Sequence, residues 1–198
     1  MTTGNLVIGI TGASGAIYAQ RFVRQAVRLY ERVFLIMSEQ ARQVADTELG
    51  VALASCPDWI APWLGEVPSN LEVLAAKDYY TPPASGSFRH DGMVIVPCSM
   101  GTAGRIANGV SDDLLTRCAD VCLKERRKLI VVPREMPWNL IMLRNLTQLA
   151  EAGATILPAC PAWYSKPQTL DDLADTVVAR ILQNLGVDQD LIKPWMEE

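Results

Sequence analysis

The sequence predicts one α/β domain of three layers, in which an open, mostly parallel β-sheet lies between two layers of helices. The chain has 198 residues, of which 49% are hydrophobic, and this is enough for one sizeable core. Short apolar runs rich in β-branched residues alternate with helical patterns, as expected for strands that are buried on both faces. Alternation of this kind favours a sheet that helices cover on both sides.

Five strands and six helices account for most of the chain. The strands are expected at 6–10, 33–37, 93–96, 129–132 and 155–157, and the helices near 15–29, 39–49, 101–109, 112–127, 138–152 and 170–185. The last helix has the clearest limits. Thr169 and Asp172 have the spacing of a capping box, and Gly186 follows the last apolar residue as a stop signal.

Residues 50–91 interrupt this alternation. They include Trp59, Trp63, several prolines and the sequence YYTPPASGSFRHDG. Because a compact domain rarely contains a plain loop of this length, we expect an irregular functional excursion or lid here. The whole chain, 1–198, is expected to form one domain, with 187–198 as a C-terminal tail.

Composition argues against several classes of function. The formal net charge of −4 disfavours a nucleic-acid partner, no apolar run has the length of a membrane span, and no signal peptide is recognisable. Five cysteines, an odd number without a CxxC pair, argue against a disulfide framework, and Cys118 and Cys122, one helical turn apart, are expected to be buried thiols. The single histidine, His90, is expected in an exposed turn. We therefore expect a cytoplasmic protein without a metal.

Small, hydroxyl-bearing and charged residues follow the predicted strands. These segments are TGASG, Ser38-Glu39, PCSMGT, PREMPW and PACPAWY. The carboxyl ends of parallel strands meet at one edge of a sheet, and open α/β proteins bind their ligands there. The segments therefore predict one shared pocket at that edge.

The segment GITGASGAIYAQ after the first strand is typical of a turn that holds a phosphate. Gly9, Gly12 and Gly15 permit close approach of the backbone, and the next helix offers free N–H groups to an anion. A dinucleotide site of this kind would also need a Tyr-x-x-x-Lys pair and an acidic residue at the end of the second strand. No tyrosine has a lysine four residues later, and Ser38 ends that strand. A mononucleotide and no ligand at all remain as alternatives.

Glu48 has an unusual position for a carboxylate. Its spacing from Val44 and Ala45 puts it on an apolar stripe, in the last turn of its helix, where the dipole disfavours a negative charge. Either this acid is desolvated and able to act as a proton carrier, or the helix end frays and Glu48 lies in water. The spacing does not decide between these alternatives.

Other charges also stand out by position. Arg117 and Lys124 lie seven residues apart on one helix face and can hold a phosphate. The spacing alone favours a different arrangement, in which Lys124 forms a surface pair with Asp120.

Three further charged residues lie beside apolar elements. Arg134 and Glu135 follow a predicted strand, and a charge pair beside a buried strand end indicates a function. Arg180 borders the apolar stripe of the last helix, where a surface arginine with a buried stem is the simpler interpretation.

Six blocks together resemble the UbiX-type flavin prenyltransferases. In chain order they are GITGASGAIYA, SGSFRHDGMVIVPCSMGT, RCADVCLKERRKLIVVPRE, LRN, EAGATILPACPAWYSKPQTLDDL and VVARIL, between about residues 6 and 186. The resemblance implies a Rossmann-like or flavodoxin-like fold. It also implies a homo-oligomer, usually a dodecamer, with sites at the junctions between subunits, and Trp195 in the tail fits an oligomer.

The resemblance implies a reaction as well. Members of this family join the dimethylallyl group of dimethylallyl phosphate to reduced FMN, first at N5 and then at C6, without a metal. The product, prenylated FMN, serves a separate UbiD-type decarboxylase. FMN, dimethylallyl phosphate and such a decarboxylase are therefore the expected cofactor, substrate and partner.

The same resemblance implies roles for individual residues. The flavin-binding residues are Gly12, Ala13, Ser14, Ser38, Ser99, Met100, Gly101, Thr102 and Arg134, and the residues for the prenyl substrate are Tyr79, Arg117, Lys124, Tyr164 and Arg180. The catalytic residues are Ser14, Glu48, Lys124 and Glu135. Cations hold the leaving phosphate, and Glu135 protonates it.

The chain departs from the common family pattern at a few positions. Tyr79-Tyr80 stands where the family often has tryptophan, and tyrosine offers a weaker π face to an allyl cation. Met142 and Ser165 stand in blocks where the family often carries a histidine. Two alternatives remain, a flavin-dependent decarboxylase that acts directly on an aromatic or thiol acid, and a non-catalytic FMN carrier. The complete set of implied catalytic residues favours catalysis.

Overall fold

The computed structural model of the chain describes residues 3–193. The strands are β1 (Thr3–Ile10), β2 (Tyr30–Met37), β3 (Leu71–Leu74), β4 (Gly92–Cys98), β5 (Leu129–Pro133) and β6 (Thr155–Ile156). The helices are α1 (Ala16–Leu29), α2 (Glu39–Leu49), α3 (Ile60–Leu64), α4 (Met100–Ala107), α5 (Leu114–Lys124), α6 (Leu140–Glu151) and α7 (Leu170–Leu185), with a 3₁₀ turn at Pro82–Ala84. Within the described residues the strands form one parallel sheet of order β3-β2-β1-β4-β5-β6.

Helices cover both faces of this sheet, so the predicted three-layer α/β fold is confirmed. One core lies between the sheet and helices α1, α2, α3 and α7, and it includes Phe22 and Ile181. The other core lies between the sheet and helices α4, α5 and α6, and it includes Leu115. Alternate residues of β1 enter different cores, Leu6 the first and Val7 the second. This is why the buried stretches of the strands, such as 33–37 and 129–132, are apolar at every position.

All the predicted strands and helices are present, and residues 50–91 contain two more elements. Strand β3 pairs with β2 at the edge of the sheet, with Leu71 opposite Val33. The sequence prediction missed β3 because its four residues, LEVL, are too few to show a period, and two of them are exposed. Helix α3 buries Trp63 against the α1 side of the sheet. A lid function for this segment stays a prediction.

The strand order places a switch point between β1 and β4. From β1 the chain builds outward to β2 and β3 on one side, and then returns to build β4, β5 and β6 on the other side. The loops after β1 and β4 therefore diverge to opposite faces of the sheet, and they leave a crevice at the carboxyl ends of these two strands.

Helix α7 begins and ends as predicted, and it is joined to α1 by ion pairs. Thr169 and Asp172 form a capping box, and Gly186 ends the helix in the left-handed conformation at φ 83°. The Nε and Nη2 groups of Arg21 on α1 each donate to the carboxylate of Asp175 on α7 at 2.5 Å.

His90 is not in an exposed turn, so that prediction is wrong. The imidazole is partly buried, its ring lies over Phe88 with centroids 6.2 Å apart, and its Nδ1 is 3.0 Å from the carbonyl oxygen of Gly92. The turn leads directly into β4, and this brings His90 against α5, where Nε2 is 3.9 Å from Cys122 Sγ. Local turn signals could not reveal this packing.

Cys118 and Cys122 are buried free thiols, as predicted. Burial raises the pKa of each to about 12, so both stay protonated and unreactive at neutral pH. Within residues 3–193, no helix is long and apolar enough to cross a membrane, and no cluster of side chains has the make-up of a metal site. Residues 194–198, and therefore Trp195, lie outside the described residues.

Candidate active site

A cavity of about 440 Å³ lies at the switch point, where β1, β2 and β4 end. Its size is in the range of small-molecule sites. The lining residues come from β2, from the loops after β1, β2, β3 and β4, and from helices α2, α4 and α5 or their starts: Thr11, Gly12, Ile36, Ser38, Gln40, Ala76, Ser99, Gly101, Thr102, Arg105, Asp113 and Leu115. The shared pocket that the polar strand ends predict is therefore present.

Two helices begin at this cavity, and serine side chains cap both. Ser38 Oγ accepts a hydrogen bond from the Ala41 N–H of α2 at 3.1 Å, and Ser99 Oγ accepts one from the Thr102 N–H of α4 at 3.3 Å. The other first-turn N–H groups have no partner within their helices. Two positive helix ends that converge on one cavity favour a ligand with an anionic group.

Thr11 ties the ends of β1 and β4 together. Its Oγ1 donates to the Pro97 carbonyl oxygen at 2.9 Å and accepts from the Ser99 N–H at 2.7 Å. These bonds hold the first turn of α4 next to the glycine-rich loop, so the two predicted binding segments form one wall.

Two glycines of the loop after β1 are required by the geometry. A Cβ on Gly12 would lie 2.6 Å from Gln40 Cβ, so only glycine lets the loop approach α2 this closely. Gly15 has φ 107°, and a Cβ there would also lie 2.7 Å from the ring of Tyr18. The loop is thus shaped for close backbone contact, as its sequence predicts.

The structure rules out both alternatives for Glu48, which is neither desolvated on an apolar face nor free in water. Although the residue is exposed, its Oε2 accepts hydrogen bonds from the Gly15 N–H at 2.8 Å and the Ala16 N–H at 2.7 Å. The carboxylate at the end of α2 therefore caps the start of α1. The positive end of α1 compensates for the unfavourable dipole of its own helix.

Ser14 and Glu48 line a second hollow, of about 360 Å³, beside the first cavity. Gln40 contributes to the walls of both. Val44 and Thr47 of α2 complete this hollow together with Gln43. The two predicted catalytic residues of the first loop and of α2 are thus brought together next to the predicted binding residues.

Arg134 and Glu135 extend from β5 at the same edge of the sheet. The Arg134 N–H donates to the Cys98 carbonyl oxygen at 3.2 Å, which holds the end of β5 beside the end of β4. Both side chains are exposed in the single chain, next to a strand that is buried along its whole length, and a function for this charge pair stays a prediction. They follow the last buried residue of the strand, and their side chains extend beyond the core.

Tyr18 links these two regions electrostatically. Burial raises the pKa of its phenol, Arg134 opposes this shift, and the nearby Cys160 and Glu48 add to it. The phenol is therefore within the electrostatic influence of the end of β5 and of the α2 carboxylate.

The prenyl-substrate residues of α5 are not brought to this cavity within one chain. Asp113 lines the cavity at the start of α5, whereas Lys124 is the last residue of that helix. Eleven residues at a rise of about 1.5 Å separate their Cα atoms by about 16 Å. Lys124 pairs with the adjacent Glu125, and Asp120 pairs with Arg117 at 3.0 Å, so the predicted pair between Asp120 and Lys124 is wrong.

Arg117 lies between the two ends of α5 and contacts the segment that follows Tyr79. Arg117 Nε donates to the Ala84 carbonyl oxygen at 3.2 Å, which joins α5 to the 3₁₀ turn. Tyr79 precedes that turn and is 40% exposed. The chain just before Tyr79 reaches the cavity, because Ala76 lines it.

Arg180 and Tyr164 occupy a third region. Arg180 lines a hollow of about 340 Å³ with Cys160 and Pro158 from the segment after β6. Its Nη1 donates to Gln183 Oε1 at 2.6 Å, and the residue is exposed, as a surface arginine would be. Tyr164 is 44% exposed beyond the end of the same segment.

Of the nine implied flavin-binding residues, Gly12, Ser38, Ser99, Gly101 and Thr102 line the main cavity. Ala13 and Met100 are buried within the same two loops. Ser14 borders the adjacent hollow, and Arg134 lies at the end of β5. The ends of β1, β2 and β4 thus converge on one cavity, as the sequence indicates.

Sequence reasoning missed Gln40, Arg105 and Asp113. A signal existed for Arg105, because it lies three and four residues after Thr102 and Gly101, and such positions share a helix face. Nothing local marks Asp113 as a cavity residue, since its approach depends on how the loop after α4 folds back. Gln40 follows Ser38-Glu39 in sequence. Only the folded structure, in which Gln40 packs against Gly12, identifies it as a cavity residue.

Comparison with known proteins gives close matches over almost the whole chain. The family model described as Flavoprotein matches residues 1–182. The flavin prenyltransferase UbiX of Alkalihalophilus pseudofirmus is 45% identical over 97% of this chain and 96% of its own length. That of Pseudomonas aeruginosa is 42% identical over 98% and 94%.

Solved structures agree in fold. The crystal structure of AnUbiX (PadA1) in complex with FMN and dimethylallyl pyrophosphate has a TM-score of 0.85 and 36% identity, with 99% of each chain covered. A dodecameric FMN-dependent UbiX-like decarboxylase from Escherichia coli O157:H7 has a TM-score of 0.86 and 34% identity, with 98% of this chain and 100% of that chain covered. The peptidyl-cysteine decarboxylase EpiD, at 19% identity and a TM-score of 0.60, shares the fold.

Proposed function

Because the chain belongs to the UbiX flavin prenyltransferases of the flavoprotein family, we propose that its two adjoining hollows bind FMN and carry out the prenyl transfer. The chain is a transferase, and FMN is its cofactor. The observation that carries the residue assignment is the cavity at the switch point, which two helix N-termini and a glycine loop surround.

The residues of the main cavity fit a flavin mononucleotide. Gly12 leaves room for the backbone to approach the ligand, and the capped starts of α2 and α4 offer N–H groups to a phosphate. Ala13 and Met100 pack behind these loops. A bound, reduced flavin would supply two nucleophilic atoms: N5 for the prenyl carbon whose bond to phosphate breaks, and C6, which loses its proton, for the later ring closure across the prenyl double bond.

The chain's own residues then act on the prenyl donor. Lys124 and Arg180, with Tyr164 and Arg117, hold the phosphate that leaves, and Glu135 gives it a proton. Tyr79 provides an aromatic wall for the allyl cation. Ser14 lies at the hollow where the reacting centre is proposed, and Glu48 fixes the turn that carries Ser14.

A second copy of the chain supplies Lys124 to each site in this proposal. The length of α5 separates Lys124 from the cavity of its own chain. The dodecameric relative from Escherichia coli O157:H7 supports a homo-oligomer, which we propose is also a dodecamer. Exposed apolar side chains on the β5–α6 connection and on α6 support a covered surface, since Met136 is 83% and Ile141 68% exposed in the single chain.

The product in this proposal is prenylated FMN, which a UbiD-type decarboxylase in the cytoplasm takes up. The donor is dimethylallyl phosphate. The free cysteines of the described residues are compatible with a reducing compartment.

Anaerobic incubation of the protein with reduced FMN and dimethylallyl phosphate tests the proposal. Mass spectrometry of the released flavin should show the gain of one dimethylallyl unit. An unmodified flavin on a chain that binds FMN tightly would contradict the prenyl transfer and support a carrier. Release of carbon dioxide from an aromatic or thiol acid, without the prenyl donor or a partner, would support a direct decarboxylase instead.

A further inference from the structure

The charges at the flavin cavity are asymmetric. Among the described residues that line it, Arg105 is the one cation. The one carboxylate that lines this cavity, Asp113, is paired with Arg105, whereas the adjoining hollow is lined by the carboxylate of Glu48 and by no cation among the described residues. An FMN molecule that spans the cavity would therefore have its anionic 5′-phosphate near Arg105 and its uncharged ring toward Ser14.

Arg105 is held in place, but its hydrogen-bonding capacity is not used up. Its Nη1 donates to Asp112 at 2.5 Å and to Asp113 at 2.9 Å, and its Nη2 donates to Thr102 Oγ1 at 3.3 Å. A guanidinium has five N–H groups, so the Nε–H and one Nη2–H have no partner among the described residues. In Arg21 of the same chain, Nε and Nη2 bind both oxygens of one carboxylate.

Each of the two aspartates competes only weakly with a phosphate for Arg105, and the reasons differ. Asp113 Oδ1 is occupied by the Thr116 N–H and hydroxyl at 2.8 Å each, because Asp113 caps α5. Only its Oδ2 contacts Arg105. The Asp112 side chain is 55% exposed, so water screens its charge.

We propose that Arg105 binds the 5′-phosphate of the flavin together with the first turns of α2 and α4, and that this contact makes the site select FMN over riboflavin. The two unused N–H groups form the planar edge that binds phosphate oxygens in pairs. Thr102 and Asp113 act as the support that orients this edge. The inference rests on the proposed function only in that the cavity holds FMN.

Flavin titrations of the flavin-free chain test this without any prenyl transfer. Affinities for FMN and for riboflavin are measured by quenching of flavin fluorescence, for the original chain and for Arg105→Gln. We expect FMN affinity to fall by about 10- to 100-fold, as expected for charge-assisted hydrogen bonds, and riboflavin affinity to change less than about 3-fold. Arg32→Ala, which removes an exposed arginine of β2, is the matched control and should leave both affinities unchanged.

A double variant separates the direct contact between Arg105 and the phosphate from the effect of the local net charge. Arg105→Gln alone leaves Asp112 and Asp113 without their cation. Their repulsion of the phosphate would also lower the affinity for FMN. Arg105→Gln with Asp112→Asn restores the local net charge, and we expect most of the FMN deficit to remain. Recovery of FMN affinity in the double variant, or an equal loss for FMN and riboflavin in the single variant, would overturn the proposal.

The double variant also covers the case in which Arg105→Gln folds poorly, because it removes the Asp112 charge, and the Asp113 carboxylate that remains keeps its hydrogen bonds from Thr116. If the original chain does not prefer FMN to riboflavin, the flavin assignment of the proposed function fails at that step. If it prefers FMN and the variants keep this preference, only the role of Arg105 fails.

Discussion

The carboxylate of Glu48, at the end of α2, binds the backbone N–H of Gly15 at the start of α1. This contact joins the second helix to the loop that carries Ser14. It makes Glu48 a positioning residue for the candidate reacting centre, whatever it contributes to proton transfer. The distance in sequence is 33 residues, so the contact depends on the folded sheet.

Glu48→Ala should destabilise the chain and weaken its flavin binding. The substitution removes a helix-capping acceptor, which costs about 1–2 kcal/mol in the free energy of unfolding. Glu48→Gln keeps an acceptor oxygen and should recover about half of that loss. Urea denaturation measures both variants, with Glu31→Ala, an exposed glutamate of β2, as the control. Equal stability of the original chain and Glu48→Ala would refute the capping role.

The ion pair between α1 and α7 should matter more than a pair at the surface. The side chains of Arg21 and Asp175 are 21% and 10% exposed, whereas those of Arg32 and Glu72 are 53% and 46% exposed. We expect Asp175→Asn to lower the free energy of unfolding by about 2–4 kcal/mol, because it removes the carboxylate that the partly buried Arg21 guanidinium binds through two hydrogen bonds and leaves only the pair with the exposed Asp171.

Glu72→Gln is the matched control for this prediction, and it should cost less than about 1 kcal/mol. Both values come from denaturant titrations under one buffer condition. Similar costs for the two variants would show that burial does not strengthen the pair on α7.

Protonation of His90 should lower the free energy of unfolding as the pH falls. Burial lowers the pKa of its imidazole, the hydrogen bond to Gly92 opposes this shift, and Arg127 adds to it. The unfolded chain, with an imidazole pKa of about 6.5, therefore binds the proton first as the pH falls. The contribution of His90 is fully present above that pH, and it is lost as the pH falls through the lowered folded-state pKa.

The comparison of the original chain with His90→Gln isolates this contribution. The free energy of unfolding should decline less steeply between about pH 7 and pH 5 in the variant, because the other titrating groups are common to both chains. Parallel pH profiles would contradict the prediction.

Glu135→Gln should slow catalysis and leave FMN binding intact. The amide cannot protonate the leaving phosphate, so the rate of prenyl-flavin formation should fall by about 100-fold or more. Glu135 is exposed at the end of β5 and bonds only to the N–H of Met136 among the described residues, so the fold should not change. Unchanged turnover in single-turnover mass spectrometry would remove Glu135 from the proton transfer.

The sheet and its polar edge could be predicted from the sequence because local patterns encode them. Buried strands such as β5 (LIVVP) are apolar at every residue, and the capping signals of Thr169 and Gly186 act over a single turn. Strand β3 could not be predicted, because a four-residue edge strand owes its existence to β2 rather than to its own sequence.

The candidate site was predictable only in part, for a similar reason. The residues of the strand ends converge because parallel strands all end at one edge, so Ser38 and Ser99 were found. Asp113 enters the cavity through the tertiary fold of the loop after α4, where it pairs with Arg105. The family resemblance implies that Lys124 belongs to the same site as Ser38 and Ser99. It gives no information about which copy of the chain supplies Lys124.

The central claim is that one chain's flavin cavity and another chain's Lys124 form one active site. Two variants test it by complementation. Lys124→Ala leaves the flavin cavity intact. Gly101→Phe fills that cavity while it leaves Lys124 intact, since a Cβ on Gly101 meets no atom within 4 Å.

Each variant alone should be inactive in the anaerobic prenylation assay. Oligomers assembled from equal amounts of the two should regain about a quarter of the original activity, because random neighbours form an intact site in about one case of four. Mixed oligomers of the original size that regain no activity would contradict a site shared between two chains.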